Sequence, residues 1–183
     1  MDEKTLQAAI VHVRFSPRFD NLIEFEVALS EVPINDNDGK DVTVNWQFFD
    51  GFNANKTFWT DSNGLEMQER RLDFSPSFPW AHSEKDTNKI SGNYYPVDSA
   101  IAMRDNEKGH QVTIMNDRAQ GGSAELRKST IELMQHRRLL QDDNKGVQEF
   151  LNETDPKGIG IKVTAKYWMQ IHDFKNGVAK QRE

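Results

Sequence analysis

The chain has no cysteine among its 183 residues. Disulfides, thiolate nucleophiles and cysteine-held metals are thereby excluded, and the redox compartment is left open. No apolar run approaches the ~20 residues that cross a bilayer as a helix. The N-terminus, Met1-DEKTLQ, is acidic and poor in apolar residues, so it lacks the pattern of a signal peptide. No G-x-G-x-x-G, P-loop or G-x-S-x-G occurs, which removes sequence support for dinucleotide, phosphate-loop or serine-hydrolase sites. The 5 histidines lie far apart, with no H-x-H or H-x-x-x-H spacing, so no local metal site is written into the chain. Basic charge is in deficit. The net charge of −6, with Arg and Lys interleaved among acids, offers no face for nucleic acid or an anionic membrane.

Apolar residues are also scarce, at 36%, with a mean hydropathy of −0.77. Such a composition can mark disorder. Against that stand 11 Phe, 4 Trp and clear alternating rows. A chain of this length suits one domain and can bury roughly two-thirds of its unfolded surface. We expect a single, partly exposed domain over residues 1–183.

Period-2 patterns dominate. Ala9, Val11, Val13 and Phe15 alternate with His12 and Arg14. Similar rows run from Ile23 to Leu29, from Val42 to Phe48 and, longest, from Ile159 to Ile171. Each fits a half-buried strand with its apolar face inward. Shorter strands are expected at 65–72, 99–104, 110–116 and 129–140. Asn35-DNDG-Lys40 and Asp61-SN-Gly64 read as turns, the latter with Asn63-Gly64 suited to positive φ. The segment from Phe74 to Ile90 is the longest irregular one, and Pro76 and Pro79 bar a central strand there. We expect it to be mobile or to rest on something. A helix signal at Ser123 to Lys128 is arguable. Many strands and almost no helix point to an all-β sandwich.

The densest chemistry lies in Gln120 to Val147. Gly121-Gly122 reads as a turn, Ile131 and Leu133 as the buried row of a strand. His136, Arg137, Arg138, Asp142, Asp143 and Lys145 then gather near Gly146, at what reads as a hairpin tip. Charges of both signs at a tip suit a polar ligand or an interface, and equally a solvated hairpin with weak ion pairs. Arg137 and Arg138 should point to opposite faces and bind carboxylates within the protein or a larger parent. Asp142-Asp143 are sequential, which is wrong for a glycosidase acid pair flanking one bond at ~5 Å or more. A turn or capping role is expected for at least one. Phe58, Trp59, Tyr94, Tyr95 and Trp80 are candidate sugar-stacking rings, although a core position is the commoner fate of such residues. Two sequons, Asn55-Lys-Thr57 and Asn152-Glu-Thr154, are compatible with a secretory route.

Several of these stretches together resemble glycoside hydrolase family 38, the class II α-mannosidases. FWTDSNGLEMQERRLDF (58–74) is similar to the family's TDSNG-x-E segment with its paired arginines. SGNYYPVDSAIAMRD (91–105) resembles its GNYYPV segment. VTIMNDRAQGGS (112–123) and GGSAELRKSTIELMQHRRLLQDDNKGV (121–147) resemble its following strands, in the same order. The likeness covers nearly the whole chain and is nearest the lysosomal type. It implies a large-sheet antiparallel sandwich of the galactose-mutarotase-like kind, incomplete or excised, from the β-rich region after the catalytic domain. The catalytic domain, with the nucleophile, acid/base and zinc, is absent from this chain, which therefore holds no cofactor itself.

By the same resemblance, the parent is a zinc-dependent retaining hydrolase of terminal α-mannosides. This chain buttresses its catalytic domain and sends one hairpin to the pocket. The implied substrate-binding residues are Asp143, Lys145 and Gly146, with Lys145 standing where the family carries Arg. Implied partners are the rest of the parent chain and a mannosyl glycan, and the isolated chain is expected to be inactive and to self-associate. The implied compartment is the lysosome or the secretory pathway. A free-standing carbohydrate-binding module and a pure interaction scaffold are the alternatives.

Overall fold

The computed structural model describes residues 9–15, 22–48, 51–75, 77, 89–146 and 148–174. Among them run β1 (Ala9–Phe15), β2 (Leu22–Leu29), β3 (Lys40–Gln47), β4 (Thr57–Ser62), β5 (Glu66–Arg71), β6 (Tyr95–Val97), β7 (Ala100–Asp105), β8 (His110–Asn116), β9 (Gln120–Ala124), β10 (Thr130–Arg138) and β11 (Val163–Asp173). A single 3-10 turn, Ser91–Asn93, precedes β6. All strand pairs are antiparallel. One sheet has the order β1-β2-β11-β8-β7-β4-β5, the other β3-β10-β9-β6. The architecture is the expected all-β sandwich.

The core lies between the sheets, where the inward rows meet. Ile101, Met103, Ile114, Ile131, Leu133, Phe58 and Tyr167 are fully buried. Burying a large aliphatic or aromatic side chain contributes about 1.5–3 kcal/mol. Trp46 on β3 joins the layers, edge-on to Tyr167 at 4.9 Å and to Phe25 at 6.1 Å between ring centroids. The Tyr167 hydroxyl accepts a hydrogen bond from Gln120 Nε2 at 3.0 Å. Burial pushes this phenol up to about 12.

Several expectations need correction. The helix signal at Ser123 to Lys128 is instead the end of β9 and a hairpin loop into β10. Glu125 folds back there, its carboxylate accepting from Ser129 N–H at 2.8 Å. Gly121-Gly122 is not a turn but lies within β9. A Cβ on Gly122 would sit 2.7 Å from Leu133 and 2.8 Å from Val97, so the strand needs a residue without one. The row from Ile159 becomes strand only at Val163, because Asp155 holds a turn before it. In β1, Val11, Val13 and Phe15 share a face with Val27, Phe25 and Ile23 by register, yet every β1 residue is exposed. The smaller sheet does not reach over that strand. Asn63-Gly64 adopts positive φ as expected, joining β4 to β5. The segment from Phe74 to Ile90 falls mostly outside the described residues.

Candidate functional site

The segment holding Asp143, Lys145 and Gly146 is not a β-hairpin. β10 ends at Arg138, and the next strand, β11, belongs to the other sheet. Between them the chain closes a loop. Leu139 N–H donates to the Leu151 carbonyl at 2.8 Å, bringing the ends of residues 139–151 together as in an Ω-loop. Its tip is built from two successive side-chain turns. Asp142 Oδ1 accepts from Asn144 N–H at 2.5 Å, and Asp143 Oδ1 from Lys145 N–H at 3.0 Å. Both aspartates thus have the turn role expected of at least one. Asp143, Lys145 and Gly146 are brought together, all exposed, and nothing lies within 4 Å of where a Cβ on Gly146 would be.

The base of the loop is held by Arg138, which is 8% exposed. Its Nη1 donates to the Val32 carbonyl at 2.8 Å and its Nε to Asn152 Oδ1 at 2.7 Å. The Asp155 turn brings Gly160 against the guanidinium, leaving no room for a Cβ, and Gly160 N–H donates to Glu31 Oε2 at 3.0 Å. The expectation that Arg138 binds a carboxylate is therefore corrected: its acceptors are a backbone carbonyl and a neutral amide. Arg137 does meet that expectation, gripping Asp41 with two bonds of 2.5 and 2.8 Å on the outer face.

Which arginine turns inward is decided by a β-bulge. Met134 pairs with Thr43 but His136 pairs with Val42, so Gln135 is an extra residue. Up to and including it, Ile131, Leu133 and Gln135 are buried; after it, the buried position is Arg138 rather than Arg137. One inserted residue exchanges the two faces of a strand. Gln135 Nε2 spends its hydrogen on the Val27 carbonyl at 2.7 Å.

The candidate stacking rings do not form one open platform. Phe58 is fully buried. Trp59 is half-buried under the Arg104 guanidinium, 4.5 Å from its ring centre. Tyr95 carries Arg70 at 4.6 Å and meets Phe58 edge-on. The Tyr94 hydroxyl donates to Glu132, and burial with that neighbouring carboxylate holds the phenol far above its ordinary range. Such a hydroxyl stays protonated and is no nucleophile. Trp80 lies outside the described residues.

Sequence reasoning missed the structural weight of other motif residues. Asp61 is buried, with its carboxylate accepting from the backbone N–H of Gly64, Asp98, Ser99 and Ala100 and from the Ser99 hydroxyl, at 2.7–3.0 Å. Burial alone would raise its pKa, but these donors together hold it below the ordinary carboxylate range. Asn93 is fully buried and ties Asp73 to Lys89 through its amide. The signal for both was only that Asp and Asn within a few residues of Gly close loops. Among the described residues no group of three His, Cys, Asp or Glu side chains could hold a metal ion.

Comparison with known proteins agrees with this architecture. The family model described as "Glycosyl hydrolases family 38 C-terminal domain" matches residues 10–145. Human lysosomal alpha-mannosidase is 42% identical over 160 residues, covering 87% of this chain and 15% of that protein. The bovine lysosomal alpha-mannosidase is 38% identical over 170 residues, covering 93% of this chain and 16% of its own length. An alpha-mannosidase of Canavalia ensiformis is 32% identical over 159 residues, covering 84% and 15%. The chain thus spans about a sixth of the length of these relatives. An all-β sandwich, with the family model matched from β1 to the tip of the 139–151 loop, leaves one assignment: the chain belongs to the C-terminal domain family of the family 38 glycosyl hydrolases.

Proposed function

We propose that this chain is the β-sandwich region of an α-mannosidase that hydrolyses terminal α-mannosides with retention. In this reading it buttresses the catalytic domain, where the zinc and the reacting carboxylates reside, and presents the 139–151 loop to the pocket. By itself it is inactive. The parent works in the lysosome or along the secretory route, as the names of its mammalian relatives suggest.

The observation that carries the reading is the construction of that loop. A buried arginine and a backbone bond fix its base, while its tip bears an exposed cation. A cation held on a rigid support can orient substrate hydroxyls or a carboxylate once water is excluded around it. Lysine supplies charge without the planar fork of arginine, so the contact is a point charge rather than a two-point grip. Among the described residues no observation favours a free-standing sugar-binding module, since Phe58, Trp59, Tyr94 and Tyr95 are buried, capped or hydrogen-bonded.

The test is steady-state kinetics of the full-length parent on an aryl α-mannoside. Lys145→Ala should lower kcat/KM by roughly ten- to a hundredfold, as expected for one lost charged contact of about 1–3 kcal/mol. Melting temperature should hardly move, and Lys145→Arg should retain activity. Unchanged kinetics in both variants would mean that the loop does not reach the substrate.

A further inference from the structure

The two sequons differ in what the fold does with them. In Asn152-Glu-Thr154 the asparagine is half-buried and its amide oxygen belongs to the Arg138 clamp. In Asn55-Lys-Thr57 the asparagine is exposed, and no described residue bonds its amide. Asn55 and Lys56 both have positive φ, 50° and 60°, and Thr57 N–H donates to the Ala54 carbonyl at 3.0 Å. This is a type I′ turn opening into β4.

The turn is fixed entirely from its backbone. Asn53 Oδ1 accepts from Asn55 N–H at 3.1 Å, and the Lys56 carbonyl accepts from Leu72 N–H at 2.8 Å. The Lys56 N–H faces the Glu125 carboxylate. Ala54 is buried beneath. The Asn55 side chain is therefore held out into water on a rigid support, with the Thr57 hydroxyl donating to the Asn55 carbonyl beside it at 3.3 Å.

We infer that Asn55 is an N-glycosylation site. The inference rests on the secretory reading above. The co-reactant is an oligosaccharide linked to a lipid diphosphate. A bond forms from Asn55 Nδ2 to the anomeric carbon of the first sugar. The anomeric C–O bond to diphosphate breaks, the lipid diphosphate leaves with that electron pair, and Nδ2 loses one proton to the transferase. Folding then leaves the glycan in solvent, because Asn55 is exposed at the turn.

The location adds a statement about the parent. The turn touches Glu125 and, through Phe52, Ser129 at the start of β10. Arg138 and the 139–151 loop stand at the other end of that strand. At ~3.3 Å per residue the two ends lie roughly 25–30 Å apart. A glycan on Asn55 leaves the Lys145 loop free and assigns its own end of the sandwich to the solvent side of the enzyme.

The full-length parent, sent through the secretory pathway of eukaryotic cells by an added leader, provides the test. Treatment with peptide N-glycosidase in heavy-oxygen water, followed by peptide mass spectrometry, should find labelled aspartate in place of Asn55. Asn55→Gln and Thr57→Ala should each remove one glycan by gel mobility, with kcat/KM on an aryl mannoside unchanged within twofold. Thr57→Ser should keep the glycan. Secreted, active enzyme with Asn55 unmodified would overturn the inference, as would a glycan confined to Asn152. Because the leader imposes the route, the occupancy of Asn55 is independent of where the natural protein resides, which fractionation of the native cell reads separately.

Discussion

Replacing Arg138 by methionine tests the inward arginine directly. Methionine fills the volume of the side-chain stem but leaves the Val32 carbonyl and Asn152 Oδ1 without their donor. Two bonds from a charged donor contribute roughly 3–6 kcal/mol before any offset. Burying a guanidinium without a carboxylate partner itself costs several kcal/mol, part of which methionine recovers, and acceptors on loops regain water. The net loss should be about 2–3 kcal/mol. For a domain of this size that lowers Tm by about 4–12 °C. Arg137→Met removes an exposed pair with Asp41 and should cost under about 1 kcal/mol. Urea unfolding followed by tryptophan fluorescence, with equal m-values required across variants, measures both. Simple alternation from Ile131 and Leu133 places Arg137 inward, so it demands the opposite ranking. If Arg137→Met proves as damaging as Arg138→Met, the bulge at Gln135 does not set the faces as described.

Two further outcomes follow from other residues. The folded-state pKa of Asp61 is depressed, so its contribution to stability is complete above the unfolded value of about 3.9 and is lost as pH falls through the lower folded value. Asp61→Asn should flatten that acid-side loss only partly, because Asp105 is depressed too, and should cost about 1–3 kcal/mol near neutrality; equal stability of the two proteins at pH 7 would refute the role given to the carboxylate. The isolated chain should associate through β1, whose Val11, Val13 and Phe15 are 53%, 48% and 74% exposed. Light scattering over a concentration series should show that association weakened by Val13→Lys, and a wild-type chain that stays monomeric throughout would count against an uncovered face.

Much of the sheet content was legible because most strands keep strict alternation. β8 runs over the expected His110–Asn116, and the β4–β5 turn has the predicted positive φ at Asn63 and Gly64. What escaped was non-local. Gly121-Gly122 looks like a turn until Leu133 and Val97 are known to press on it. The β1 row looks like a core face, and only the width of the opposing sheet leaves it bare. The bulge carries no local mark, so the sequence shows that Arg137 and Arg138 point to opposite faces but not which of them turns inward. Asp143, Lys145 and Gly146 were readable as a turn, since Asp and Gly set it within a few residues. The clamp beneath them was not, because Arg138 finds Val32 at a separation of 106 residues. The motif residues that carried the resemblance, including Asp61, Asn93 and Gly122, turn out to close loops and admit close packing.

The position of β11 has a bearing on how the protein is made. The last strand of the described chain lies in the middle of its sheet, between β2 and β8. A ribosome therefore releases β2 and β8 with their facing edges unpaired, and at roughly 5–20 residues per second the filling strand arrives seconds later. During that interval either edge can capture a neighbouring nascent chain, a hazard absent from the finished fold. Translation pauses downstream of Asn116 should therefore lower the yield of folded protein more than pauses after Asp173.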